Sequence, residues 1–295
     1  MQTGRAVRAL LALALLGDAG IAVAAITAVD DEGATVTLPR PAVRVISLAP
    51  HLTEQLFAVG AGASIVGTTE HADFPPQARS IARVARAHSV DLERIVALRP
   101  DLIVLWGSGF PPAVIASVRR LGVPVFVSEP RALEDVARSL RALGVLTGHD
   151  GAPAANAFES RLATLHAEYA NRSIVRVFYQ VWASPLMTLS GRHVISEAIA
   201  LCGGRNVFAQ LAPIAPQVSV EAVLAADPQA IITAEPAGKP GDALAMWTRY
   251  PGLSAAGHGQ LYTIDADRMN RHGPRLVDEI AVLCEDIEKA RQSFR

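Results

Sequence analysis

Residues 93–104, ERIVALRPDLIV, align without a gap on residues 221–232, EAVLAADPQAII. In both stretches a glutamate, Glu93 or Glu221, stands seven residues before a proline, Pro100 or Pro228, and an apolar run follows that proline. Asp91 and Ser219 lie two residues ahead of each glutamate, where a helix N-cap is expected. Each glutamate then falls in a first helical turn, where the helix dipole favours a carboxylate. The same capped helix leading into a buried strand therefore occurs once in each half of the chain. A matched acidic pair on two similar halves also suits docking onto a two-fold partner.

Working outward, strands and helices alternate. Residues 44–50 read as a short buried strand running into a turn, 53–59 as a helix stopped by Gly60 and Gly62, and 64–69 as a strand. Residues 91–98, 111–121 and 132–146 have helical spacing, and 102–106 and 123–127 read as strands. Such alternation predicts an α/β domain with a mainly parallel sheet. Residues 150–172 break the rhythm. Ala154 to Tyr169 holds neither glycine nor proline, and Pro153 suits a first helical turn. The stretch predicts one helix of about 20 residues, near 30 Å long. Strands are then expected at 174–180, 230–234 and 260–264, and helices at 194–202, 221–226, 242–247 and 274–291.

The chain has 295 residues, of which 51% are hydrophobic. Residues 1–24 account for part of that. MQTGRAVR carries two arginines, Ala9–Leu16 is apolar, and Ala22-Val23-Ala24 offers an A-x-A cleavage pattern before Ala25. This is the layout of a secretory signal, and its apolar run is about half the roughly 20 residues needed to span a bilayer. The mature chain is expected to be exported to a bacterial periplasm. In that oxidising space Cys202 and Cys284 favour a disulfide, with two buried free thiols as the alternative. A net charge of −1 argues against a nucleic-acid partner. The sequence has no C-x-x-C, G-x-S-x-G, H-E-x-x-H, P-loop or G-x-G-x-x-G, so neither catalysis nor a resident metal is indicated.

RVISLAP (44–50), DFPPQ (73–77), LERIVALRPDL (92–102), RVF (176–178), CGGRNVF (202–208), PQVS (216–219) and GPR (273–275) together carry a family resemblance. From about Val43 to Ala290 the chain resembles the periplasmic substrate-binding proteins of ABC importers, in the group with a rigid inter-lobe helix. After the signal segment 1–24, the resemblance implies two Rossmann-like α/β lobes, 25–149 and 173–295. A single long helix at 150–172 joins them, and ligand binds in the cleft between. It implies a Cys202–Cys284 bridge, and it implies that Glu93 and Glu221 meet arginines on two permease subunits. The expected function is capture of a corrinoid, such as cobalamin, by a monomer without a resident cofactor, and its delivery to an inner-membrane permease.

For the site, the resemblance carries family contacts over to Asp267 and Arg271, and to Trp106 at the end of its strand. His71 stands at an aromatic position of the family. Two cleft positions that are tryptophan in cobalamin-binding members fall at Ala87 and Ala215, which thins the aromatic bed for a flat ring. Haem or another iron chelate is the alternative cargo. His51, His71, His88 and His272 fall in loops where α/β ligands sit, and neutral imidazole is a common metal ligand. His71 is the candidate to touch a ligand's metal or edge. Arg271 is expected to pair with a propionate, amide or phosphate, or else with Asp267. Trp182 and the segment 185–191 are expected to border the cleft. A two-lobed metal-dependent or hydrolytic enzyme is the competing class.

Overall fold

The buried apolar runs assemble into two sheets. The computed structural model describes residues 25–295 except 88, 237, 239 and 240. The signal segment expected over 1–24 lies outside the described residues, as does His88. In the first half, six strands run in the order 89–90, 83–86, 65–69, 45–47, 102–106, 125–128. Every pairing is parallel except that of 83–86 with 89–90. Val45–Ser47 is buried at every position, as befits a strand covered by helices on both faces. In the second half, four strands run 204–206, 175–180, 230–235, 261–265, all parallel. Winding reverses direction at Val45–Ser47 in one sheet and at Val175–Gln180 in the other. Open α/β sheets bind ligands beyond the carboxyl ends of strands at such switch points.

The helix expected over 150–172 spans Ala152–Tyr169, 18 residues, or about 27 Å. It packs against the helices Leu133–Thr147 and Leu276–Ser293. A Cβ at Gly151 would run into the Leu140 carbonyl, so glycine there lets the chain turn tightly from one helix into the next. One hydrophobic core runs through both halves, from Val45, Leu102 and Leu140 through Phe158 and Leu165 to Val177, Ile232 and Ile287. Separate clusters around Ile46 and Ile103, and around Phe178 and Trp247, back the outer faces of the two sheets. The shared core resists large relative motion of the sheets, because repacking it would expose apolar surface at roughly 25 cal/mol per Å². The disulfide is present. Cys202–Cys284 ties the end of helix Val194–Leu201 to the helix Leu276–Ser293, and both cysteines are buried.

Asp91 accepts from the Arg94 N–H and Ser219 from the Ala222 N–H, so both repeated units are capped as expected. Two hairpins and a shortened helix were not anticipated, and neither were the strands 83–86, 89–90 and 204–206. A hairpin pairs Ile26–Val29 with Thr35–Leu38, its turn held by Asp30 Oδ1 accepting from the Glu32 and Ala34 N–H groups. A smaller hairpin pairs Trp182–Ala183 with Leu186–Met187. The segment expected to be helical at 242–247 is a 3₁₀ turn at Ala245–Arg249 that buries Trp247.

Candidate ligand-binding cleft

The carboxyl ends of the two sheets face each other across a cavity of about 290 Å³. Trp106, the last residue of its strand, walls it from the first half. Tyr179, His193, Ile214, Ala234 and His272 wall it from the second. Gln180 also lines it, but its amide is committed: it accepts from Trp247 Nε1 at 2.7 Å and donates to the Ala243 carbonyl at 2.7 Å. The lining is therefore largely aromatic and aliphatic, with the imidazoles, the Asn270 amide and the Tyr179 hydroxyl as further polar groups. That is the usual make-up of an organic-ligand pocket.

The imidazoles form a cluster. His51, in the first turn of helix Pro50–Ala58, stands edge-on to Trp106 with ring centroids 5.6 Å apart. His272 lies 5.7 Å from His51, 6.0 Å from Trp106 and 6.1 Å from His193. Burial pushes His193 and His272 down to about 4, and burial followed by the charges of His272 and Arg271 holds His51 well below its ordinary value. All three rings are thus neutral near pH 7. His51 Nε2, His272 Nδ1 and the Tyr179 hydroxyl are shut from solvent with no hydrogen-bond partner.

Beside the cavity, charged groups join the two halves. Glu54, 2% exposed, accepts from Arg275 Nη2 at 2.6 Å and Nε at 2.9 Å, and from Arg271 Nη1 at 3.3 Å. Arg271 also donates to Asp73 at 2.7 Å and Asp267 at 2.8 Å. Partial burial raises the Asp73 carboxyl, but the hydrogen bond and charge of Arg271 outweigh it and leave Asp73 below its ordinary value. The Arg275 guanidinium stacks 3.7 Å above the Phe74 ring. Next to Glu54, Gln55 donates to the His272 carbonyl at 2.7 Å. These bonds fix the 271–275 loop against the first half and so set where His272 stands.

Residues 45–268 match the family described as periplasmic binding protein. The chain belongs to that family. It is 39% identical to the vitamin B12-binding protein of Vibrio cholerae over 257 residues, covering 86% of this chain and 92% of that one. It is 35% identical to the vitamin B12-binding protein of Vibrio parahaemolyticus over 254 residues, covering 85% and 92%. The crystal structure of the periplasmic vitamin B12 binding protein of Vibrio cholerae matches with a TM-score of 0.77 at 39% identity, covering 85% of this chain and 98% of that one. A periplasmic heme-binding protein from Roseiflexus sp. RS-1 shares the fold, with a TM-score of 0.70 at 23% identity and coverage of 84% and 98%.

Within this periplasmic binding protein, the residues singled out from sequence divide by location. Trp106 lines the cavity, and so does Ala215. Asp267 and Arg271 pair with each other at its edge. Arg271 is engaged by three carboxylates, so an anionic group on a ligand would compete with Asp73 and Asp267 for it. His71 is exposed, in a turn with φ 64°. Trp182 is 62% exposed on its hairpin and is not part of the cavity wall. Glu93 and Glu221 are both exposed, each in the first turn of its own short helix. Hydrogen bonds from its own backbone N–H and from the Ser219 side chain lower the Glu221 carboxyl. Sequence reasoning missed His193, the N-cap of helix Val194–Leu201, whose Nδ1 accepts from the Ile195 N–H. It also missed Glu54 and Tyr179. A lone carboxylate at the fourth position after Pro50, beside Leu52 and Leu56, was the available signal for Glu54.

Proposed function

We propose that the chain captures a corrinoid in the cleft between its two lobes and delivers it to an ABC permease in the inner membrane. One combined observation carries the reading. An aromatic and imidazole cavity lies at both switch points of a chain that is 39% identical, over 86% of its length, to a vitamin B12-binding protein. The cavity of about 290 Å³ is too small to enclose a corrinoid whole. One part of the ligand therefore enters against Trp106, while the rest lies over the rim toward His71, Asp267 and Arg271. Trp182, on its exposed hairpin, is placed to approach the part that stays outside. The protein acts as a monomer in the periplasm after loss of residues 1–24, with lobes 25–149 and 173–295 hinged on the helix between them. It does no chemistry on its cargo. Glu93 and Glu221 meet cationic side chains on the two permease subunits, steering the encounter and fixing register more than supplying affinity.

The neutral imidazoles beside Trp106 favour one second reading, a haem or another iron chelate as cargo. Visible absorbance of the purified protein, titrated with cobalamin and separately with hemin, decides between them. Stoichiometric binding of cobalamin with no saturable hemin binding is expected. Tight binding of hemin alone would transfer the assignment, and binding of neither would remove both.

A further inference from the structure

The corrinoid reading above leaves the histidine cluster unexplained, and the inference drawn here rests on that reading. A buried polar atom without a partner costs about 1–3 kcal/mol. Two such atoms, His51 Nε2 and His272 Nδ1, sit on rings whose centroids are 5.7 Å apart. The cluster is not a chelating site for a bare ion. Among the described residues, no group of three or more His, Cys, Asp or Glu side chains is placed to hold one. One imidazole is enough, however, for a metal whose four equatorial positions a macrocycle already fills.

We propose that His272 supplies an axial nitrogen to the cobalt of the bound corrinoid. The other cavity-lining donors fit the role less well. His193 Nδ1 accepts from the Ile195 N–H at 3.1 Å, which places the proton of its neutral ring on Nε2 and leaves no free lone pair. Tyr179 is also unpartnered, but burial raises its phenol and keeps it protonated. His272 lines the cavity and is 5% exposed. Its Nδ1 is sealed from solvent, leaving Nε2 to meet the ligand. With Nε2 on the metal, the ring proton sits on Nδ1. His51 Nε2 is then its acceptor, since imidazoles joined by an N–H···N bond stand about 5 Å apart, a small rotation from the 5.7 Å seen. One arrangement satisfies both orphaned nitrogens, and a metal-bound histidine ordinarily donates its second N–H in this way. His51 is thus a positioning residue. In the exchange, a cobalt–water bond breaks, the water leaves with both protons, and the imidazole lone pair forms the cobalt–nitrogen bond. The oxidation state does not change.

The protein then prefers corrinoids whose axial position holds exchangeable water over those capped by cyanide. Titration with aquocobalamin and cyanocobalamin, followed by visible spectra, tests this. For the wild type, a nitrogen-ligated spectrum of bound aquocobalamin is expected, with affinity roughly tenfold or more above that for cyanocobalamin. His272→Ala is expected to return the water-ligated spectrum and bring the affinity ratio near one. His51→Ala is expected to keep the nitrogen-ligated band and lose part of the preference. A water-ligated spectrum in the bound wild type overturns the inference even if the variants do not fold, and so does a nitrogen-ligated spectrum that persists in His272→Ala. If cyanocobalamin binds in either case, the corrinoid reading survives the loss. If neither corrinoid binds, both fall.

Discussion

Replacing Glu54 with glutamine keeps the side-chain shape and removes one charge from the junction of the two lobes. The carboxylate is 2% exposed and takes three hydrogen bonds from two arginines. Removing one partner of a buried ion pair costs about 3–5 kcal/mol, because the other charge is left buried. The lower end applies here. Asp73 and Asp267 still neutralise Arg271, and Arg275 keeps its stack on Phe74. We expect a loss of about 3 kcal/mol, which for a chain of this size lowers Tm by about 6–12 °C. Asp278→Asn is the control, since it breaks the exposed 3.4 Å pair with Arg161 and should cost no more than about 0.5 kcal/mol. Urea unfolding and thermal melts of both variants, compared with the wild type, give the two numbers. A Glu54→Gln loss no greater than that of Asp278→Asn would refute the view that this network locks the lobes.

Three further outcomes are expected. Opening the Cys202–Cys284 bridge by a double serine substitution frees a loop with a sequence separation of 82. It should lower stability by up to about 4–5 kcal/mol in the chain-entropy model, read from the urea midpoint. Charge reversal at Glu93 and Glu221 should abolish uptake in cells while leaving ligand binding by the purified protein intact; unchanged uptake would remove both residues from the docking surface. His193 and His272 titrate near 4 in the folded chain and near 6.5 unfolded. The unfolded chain therefore binds more protons between those values, so stability is full above about pH 6.5 and falls as pH drops toward 4. Each ring accounts for on the order of 3 kcal/mol, and unfolding midpoints of His272→Gln should fall less steeply with acid than those of the wild type.

Legibility from sequence followed how local the cause was. The capped helices carrying Glu93 and Glu221, and the strands after Pro100 and Pro228, were readable because cap, dipole and apolar run lie within a dozen residues. The helix Ala152–Tyr169 was readable from its lack of helix breakers. The hairpin at 26–38 was not read, although TVTL buries alternate residues, because each strand has only four residues. The cleft was legible as a place but not as a chemistry. His51 and His272 are 221 positions apart in sequence, and only the folding of the 271–275 loop onto the first half brings their rings to 5.7 Å. His71 was favoured for its loop position, yet its turn leaves it exposed while His193, an inconspicuous helix cap, faces the cavity. Arg271 was read with one partner, Asp267. The other two, Glu54 and Asp73, come from the opposite lobe, which sequence spacing does not reveal.

The central claim is that a corrinoid is held in the cavity between the lobes. A crystal structure of the protein grown with cyanocobalamin tests it most directly. The corrin ring is expected at the cavity mouth, with one part against Trp106 and the rest over the rim toward His71, Asp267 and Arg271. Ligand density on any other surface, with the cavity beside Trp106 left to solvent, would contradict it.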